Sequence, residues 1–561
     1  MWQQHYEPVG ANLTLSALVA AIPIAVLFVM LGVVRKPAWM AALAALTVAF
    51  VLALFTYGMP VRLAVLSTLM GAAYGLFPIS WIVFASIMLY RLAVETGKFA
   101  IIKDSVGGLT NDRRLQALFI AFSFGAFIEG AAGFGAPVAV SGAMLAGLGF
   151  SPFYAAGICL MANTAPVAFG SIGIPVTTLA GITGMPVMPL SAMVGRLCAM
   201  ISVVIPMYLV LVMAGWRKTI EVLPAVAICG LSFASVQFYV SNYVGVELTD
   251  ILSSLTCIGA MVLVLKFWKP RTIFRMEGDT PPTIAAHRHS SGEVFAAWLP
   301  YVLLVVFVLT WGHAPVKRAI DGFTNGLLPS FLPTSTTVVN GVIVPGLHNA
   351  ITRVPPVTLA PSPYPAVYTL NWLSSAGTAC FLAAIAAAIV LRVSPRRVAG
   401  VYAATFRQLA KPMLTIASML ALAYLMNYSG MTSTLGIALA ATGSTFPFFS
   451  AILGWLGVFL TGSDTSANAL FGNLQMITAN QIGLNPVLTT SVNSAAGVMG
   501  KMIALPSIAV AVAATGLTSD DESRLFRFTL GHSIFLACVV GIVAMMFAYI
   551  FPALVPVAPP K

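Results

Sequence analysis

The chain has 561 residues, 59% of them hydrophobic and only 8% charged, against roughly 25% charged residues in an ordinary soluble domain. That balance excludes a soluble enzyme and describes an integral membrane protein. The formal net charge of +12 does not point to nucleic acid either, because the cations stand in short clusters beside apolar runs rather than along one amphipathic stripe.

A helix needs about 20 apolar residues to cross the bilayer core. By that measure the runs at 12–34, 37–57, 62–90, 115–131, 152–171, 190–214, 222–240, 250–267, 294–311, 371–391, 404–427, 446–461, 486–502 and 530–552 are predicted spans. The expected fold class is an all-α polytopic membrane protein with about 12 to 14 membrane segments. Residues 1–14 lack the basic region of a signal peptide, so no cleavage is expected. Arg35-Lys36, residues 91–114, Trp216-Arg217-Lys218, 266–275 and 392–397 carry the basic clusters of cytoplasmic segments. The N-terminus is then external. The loop at 268–293 reads as cytoplasmic, and the Pro- and Thr-rich stretch 312–370 as external. Cys159, Cys198, Cys229, Cys257, Cys380 and Cys538 fall in or beside apolar runs with no CxxC spacing, which suits packing rather than metal or disulfide chemistry.

The chain repeats itself at a nearly constant offset. Thr96-Gly97 matches Ser429-Gly430, the stretch from Gly125 to Gly130 matches that from Gly457 to Gly462, Asn163-Thr164-Ala165 matches Asn493-Ser494-Ala495, and Pro175 matches Pro506. Residues 1–220 form a first repeat, 221–293 a linker with one helix pair and a cytoplasmic loop, and 294–561 a second repeat. Threaded from the outside, the second repeat starts in the opposite sense, so the two are expected to be inverted. Each contributes a Gly-rich stretch that reads as a re-entrant hairpin, at 130–149 and 462–484, and a helix broken after Asn163 or Asn493. Interrupted helices at corresponding places in two halves are the sequence pointer to a transporter's midplane site.

All but two of the 16 acidic residues stand in loops or near span ends. Glu129 and Asp464 do not, and they occupy corresponding segments of the two repeats. An ionised acid at mid-membrane costs about 2.5–3.5 kcal/mol on insertion scales, tolerable where it faces a cavity, finds a cation or takes a proton. Burial disfavours its charged form, the property a proton carrier needs. Glu129 has no basic sequence neighbour and is the first candidate for proton coupling, with Asp464 the second, as an ionised partner for Lys501. Lys501, in the small-residue run Gly497-Val498-Met499-Gly500-Lys501, is the clearest intramembrane cation and a candidate anion ligand. His532 opens the last span, where an interfacial position is the commoner reading than a proton relay. Asn163, Thr164, Ser463, Thr465, Asn493 and Ser494 add neutral donors and acceptors. Where a helix restarts after a break, its free N–H groups can hold a carboxylate. No metal site and no cofactor are expected.

Glu129-Gly130-Ala131-Ala132-Gly133-Phe134-Gly135-Ala136-Pro137, the stretch from Asn163 to Gly170, and Thr461-Gly462-Ser463-Asp464-Thr465-Ser466 resemble the signatures of the bacterial L-lactate permease family, which includes the glycolate permeases. The resemblance runs from Trp2-Gln3-Gln4 to the last span. It implies uptake of L-lactate, with D-lactate and glycolate, together with protons across the bacterial inner membrane. More coarsely, the inverted halves with paired breaks resemble the ion-transporter superfamily of dicarboxylate carriers, some of which couple to sodium. Here Ala162 and Val492 precede the two asparagines where Ser-Asn-Thr would stand, which weakens sodium coupling.

A sodium-coupled carboxylate transporter and a passive monocarboxylate channel are the alternative readings. An intramembrane hydrolase is disfavoured, since the chain has no GxSxG and no HExxH. The expected partners are small 2-hydroxy monocarboxylates, protons and the lipid bilayer, with no nucleic acid.

Overall fold

A computed structural model describes residues 1–133, 135–276, 289–331, 337–338, 341–518 and 520–557. Residues 277–288 of the expected cytoplasmic loop, 332–336 and 339–340 of the expected external stretch, and Phe134 of the Gly-rich motif lie outside the described residues.

The first set of helices comprises α1 (Leu13–Phe28), α2 (Ala38–Phe55), α3 (Val61–Tyr74), α4 (Trp81–Glu95), α5 (Lys98–Gly107), α6 (Arg113–Gln116), α7 (Gly125–Ala131), α8 (Ala136–Gly147), α9 (Pro152–Ala162), α10 (Gly170–Thr183) and α11 (Val187–Ile220). After it come α12 (Leu223–Tyr243) and α13 (Thr249–Phe267). The second set is α14 (Ser291–Gly312), α15 (Ala314–Phe331), α16 (Ala376–Val390), α17 (Pro395–Ser429), α18 (Met431–Leu439), α19 (Phe446–Thr461), α20 (Asp464–Gln481), α21 (Pro486–Gly500), α22 (Leu505–Thr515) and α23 (Asp521–Tyr549). Among the described residues, 11 helices are long and apolar enough to cross a membrane, or up to 13 if each bent pair is one span. The helix found at the expected span 371–391 is α16, only 15 residues long.

Several landmarks recur between the two sets at a nearly constant offset. Val61–Glu95 and Pro395–Ser429 are each 35 residues long. Left-handed glycines end or begin helices at Gly97 and Gly430, Gly133 and Gly462, Gly149 and Gly483, and Gly184 and Gly516. Each pair keeps nearly the same offset, because a left-handed turn has little steric tolerance for other residues. Ser151-Pro152 opens α9 and Asn485-Pro486 opens α21, a capping residue followed by proline, whose missing N–H suits the first helical turn. Across the halves, α8 packs on α22 and α10 on α20, an exchange of corresponding partners.

Buried Arg114 donates to Asp112, Glu221 and the carbonyls of Lys218 and Thr272, joining three segments expected to be cytoplasmic. On the side expected to be external, β1 (Trp2–Gln3) pairs in parallel with a strand from residue 351 onward.

Three features depart from expectation. The stretch expected to be external has secondary structure other than helix: besides α15 it carries β2 (Thr337–Val338), β3 (Gly341–Ile343), β4 (Ile351–Arg353), β5 (Ser362–Pro363) and β6 (Val367–Thr369). These strands form two small sheets in the orders β1-β4-β5 and β2-β3-β6, so the fold is not purely helical. Short runs such as Val367-Tyr368-Thr369 satisfy their backbone by pairing rather than by hydration. The second helix break is also displaced. The pair α9 and α10 bends by 62° across residues 163–166, as the sequence predicts, but α21 runs unbroken through Asn493 to Gly500, and the 46° bend comes at Ala504. Asn493 keeps α-helical geometry because its side chain is held by neighbours rather than by its own backbone. Lastly, Asp112 and Asp250 are each 1% exposed, so Glu129 and Asp464 are not the sole buried acids.

Candidate functional site

Two helix hairpins and two helix breaks converge on one cavity of about 80 Å³, lined by Glu129, Ser171, Ser463, Asp464, Thr465 and Lys501 among others. Its size suits a small organic anion; drug-sized ligands occupy pockets of roughly 300–1,000 Å³. A cavity of about 650 Å³ elsewhere lies between residues 4–8 and 354–356. It contains none of the residues singled out from the sequence, and its chemistry does not bear on them.

Glu129 stands on the last turn of α7, and Lys501 begins the single 3₁₀ turn Lys501–Ile503 between α21 and α22. The Lys501 Nζ lies 3.0 Å from Glu129 Oε1. Both residues are almost fully buried. This ion pair joins α7 to the turn after α21, 372 residues apart in the chain. It also corrects the expected partnership of Lys501 with Asp464: with α21 intact past Asn493, the lysine leaves the helix end on the side of α7. Glu129 Oε2 has no hydrogen-bond partner among the described residues. Two glycines make room for the carboxylate. A Cβ on Gly170 would sit 2.6 Å from Glu129 Oε1, and one on Gly133 would sit 2.0 Å from Ser171 Oγ.

The chain entering α10 is unusual. Ser171, Ile172 and Gly173 have φ values of 47°, 62° and 73°, a left-handed turn that a β-branched residue rarely adopts. Ser171 Oγ donates to the Ala132 carbonyl at 2.9 Å, which ties this turn to the tip of the α7/α8 hairpin. Strain of this kind is of order 1–3 kcal/mol per residue and gathers at binding sites. Val167, Ile174 and Pro175 add an apolar wall to the cavity.

The opposite wall is the start of α20. Ser463 caps the helix, its Oγ accepting from the Ser466 N–H at 3.2 Å, and Asp464 follows in the first turn, where a helix terminus favours negative charge. Asp464 Oδ2 accepts from Ser494 Oγ at 2.5 Å and from Asn468 Nδ2 at 3.4 Å. Behind it the hydrogen bonds continue. Asn493 donates to Asn468 Oδ1 at 2.8 Å, Gln475 donates to Asn493 Oδ1 at 2.8 Å, and Ser450 donates to Gln475. Asn468 also reaches the Pro175 carbonyl in the first half at 3.1 Å.

Of the residues singled out from sequence, Glu129, Ser463, Asp464, Thr465 and Lys501 line the cavity together. Asn493 and Ser494 stand one layer behind, as supports of Asp464. Asn163 and Thr164 are not among the lining residues. Thr164 Oγ1 donates to the Met161 carbonyl at 2.7 Å, and both polar atoms of the Asn163 side chain are buried with no partner among the described residues. His532 lies away from the cavity, its Nδ1 2.5 Å from the Tyr208 hydroxyl. Asn468, Gln475 and Ser171 were not foreseen. Asn468 follows Asp464 by one helical turn and Gln475 continues the same face, so a polar stripe on an apolar helix was the available signal for those two.

The family model described as L-lactate permease matches residues 16–551. The chain is similar to the L-lactate permease of Bacillus subtilis, at 49% identity over 99% of this chain and 100% of that one. It is similar to the glycolate permease GlcA of Escherichia coli, at 45% identity over 98% of each chain, and to the L-lactate permease of Salmonella typhimurium, at 44% over 99% of this chain and 100% of that one. Among solved structures it is similar to the Neisseria gonorrhoeae efflux pump MtrF, with a TM-score of 0.45 and 12% identity over 88% of this chain and 86% of that one.

Proposed function

The chain belongs to the L-lactate permease family, and from that premise we propose that it takes up lactate and glycolate by proton symport across the bacterial inner membrane. The observation that carries this reading is the buried Lys501–Glu129 pair at the edge of the small cavity, with one Glu129 oxygen left unbonded. A 2-hydroxy acid enters as an anion. Its carboxylate competes with Glu129 for the Lys501 ammonium and for the N–H groups at the start of α20. Ser463, Thr465 and Ser171 are within the lining to meet the 2-hydroxyl, and Val167 and Ile174 to meet a methyl group.

Displaced from Lys501, Glu129 is a buried carboxylate without a counter-ion, a costly state that a proton removes. Anion and proton therefore enter together. Carrying the anion alone against a negative-inside potential costs about 2.3 kcal/mol per 100 mV; with one proton the cycle is electroneutral. Asp464 serves differently in this scheme, fixed by Ser494 and Asn468 as the rigid wall against which the anion docks.

In Glu129→Gln the side chain mimics the protonated acid permanently. Proteoliposomes carrying it are expected to exchange labelled lactate at equal pH but not to accumulate it under an imposed pH gradient. Wild-type accumulation by this variant would refute the role of Glu129, and a sodium requirement in the wild type would refute proton symport. The two repeats are further proposed to be inverted in the membrane. Single cysteines at the connectors near Gly97 and Gly430 should then label from opposite sides, and labelling from one side would overturn the inversion.

A further inference from the structure

Among the described residues, Asp250 is the one buried carboxylate near the ion pair that the scheme above does not use. It lies in the first turn of α13, one of the two helices between the repeats, and is 1% exposed. Neither of its carboxylate oxygens has a hydrogen-bond partner among the described residues. It is not among the residues that line the cavity. Its backbone lies directly behind α7: a Cβ added to Gly130 would come within 2.7 Å of the Asp250 Cβ and 3.2 Å of the Ile251 N. Gly130 is the residue next to Glu129, and its missing side chain is what lets the two acid-bearing helices touch.

The groups that act on Asp250 can be named element by element. From α7 it is Glu129 and from the 3₁₀ turn after α21 it is Lys501; on α11 the buried Cys198 thiol in turn feels Asp250. Glu247 precedes Asp250 by three residues. α10 also packs on α13 and carries no ionisable residue between Gly170 and Thr183. On α12 and on α13 itself, Cys229 and Cys257 lie further along, beside Ser123. No cation among the described residues forms an ion pair with Asp250. A lone ionised carboxylate in such a place is strongly disfavoured.

Resting on the proton-symport reading, we propose that Asp250 is a second proton-binding site, which holds a proton while Glu129 is paired with Lys501 and passes it to Glu129 when the substrate takes the lysine. The two carboxyls share no hydrogen bond while Lys501 holds Glu129, so the step requires Glu129, once released, to turn toward Asp250; the O–H bond on Asp250 then breaks and an O–H bond forms on the free oxygen of Glu129. Asp250 is left as a carboxylate and regains a proton from the aqueous side, so each cycle moves one proton and one monocarboxylate anion.

The test uses the full-length protein in proteoliposomes. Asp250→Asn cannot release a proton; it is expected to lower lactate accumulation under a pH gradient at least tenfold while leaving lactate exchange at equal pH within twofold of wild type. Asp250→Glu, which keeps the titrating group, should recover much of the accumulation. Unchanged accumulation in Asp250→Asn would overturn the proposal, and so would an equal loss of accumulation and exchange in a variant that inserts normally, since that is the mark of a packing role. Should Asp250→Asn fail to insert, the wild type still decides: time-resolved lactate-induced infrared difference spectra must show one carboxylic acid transiently losing its proton as another gains one, before the first is reprotonated. A gain with no preceding loss would sink the relay. If the wild type itself does not accumulate lactate under a pH gradient, the symport reading fails instead, an outcome distinct from these.

Discussion

The two walls of the cavity handle a buried acid in opposite ways. On the first-half wall, Glu129 meets one cation, Lys501, and keeps Oε2 without a partner among the described residues, beside a left-handed turn at Ser171–Gly173. On the second-half wall, Asp464 is gripped through Oδ2 by Ser494 and Asn468, and the chain of donors continues through Asn493 and Gln475 to Ser450. Each acid keeps one oxygen without a partner among the described residues, Glu129 Oε2 and Asp464 Oδ1, but only Asp464 is anchored through its other oxygen to an extended hydrogen-bond network, and such a network holds its members in place. Corresponding segments of the two halves thus form a responsive wall and a fixed one.

Breaking the responsive wall should have the largest effect. Lys501→Gln strands Glu129 in the interior, and removing one partner of a buried pair costs about 3–5 kcal/mol. The variant is expected to lose more than about a hundredfold in lactate uptake, that being the fold-change for 2.7 kcal/mol at 1.36 kcal/mol per tenfold, and to melt well below the wild type. Adding Glu129→Gln should restore much of the melting temperature without restoring uptake. A double variant as unstable as Lys501→Gln alone would show that the pair is not the relevant interaction.

The two asparagines sharpen the contrast at intermediate size. Asn493→Ala takes the donor from Asn468 Oδ1 and one acceptor from Gln475 Nε2, while their bonds to Ser450, Pro175, Asp464 and Ser494 remain, and an unmet buried polar group costs about 1–3 kcal/mol. Its melting temperature should fall clearly, with weaker lactate binding as a consequence. Asn163→Ala removes a side chain that bonds to nothing described, so its stability should stay near wild type. Equal destabilisation of both variants would erase the distinction between the walls.

The smallest effect is expected far from the cavity. Hydrogen bonds from Lys218, then Arg114 and Thr272, hold the exposed Glu221 carboxylate down to about 2, below the unfolded value of about 4.3. A depressed folded value stabilises the protein fully above the unfolded value, and that contribution disappears as pH falls through the folded one. Glu221→Gln should therefore melt slightly lower than wild type at neutral pH, and the gap should close between about pH 5 and pH 2. A gap that stayed constant over that range would mean the clamp works by packing alone.

Much of this was open to a reader of the residues. Apolar runs long enough to span a bilayer, basic clusters on one side and the recurrence of Gly-rich motifs defined the helices and their doubling. Glu129, Asp464 and Lys501 stood out because ionisable groups are rare and costly in such surroundings. Asn468 and Gln475 were legible in principle, as polar positions on one face of α20. Asp250 was not, since a residue at the start of an apolar run reads as an interfacial charge.

What the sequence determined by itself, then, was everything that depends on the solvent: which segments enter the membrane, where helices start at Pro and stop at Gly, and which few charged residues are out of place. Those are local costs, the same wherever the segment packs. Partnership was decided by tertiary structure alone. That α21 stays helical through Asn493, that Lys501 therefore meets Glu129 across the repeat boundary rather than Asp464 within its own half, and that Gly130 brings Asp250 against α7 all follow from how helices distant in the chain are seated. No local propensity encodes that arrangement, because an ion pair or a close backbone approach is set by the packing of both partners at once.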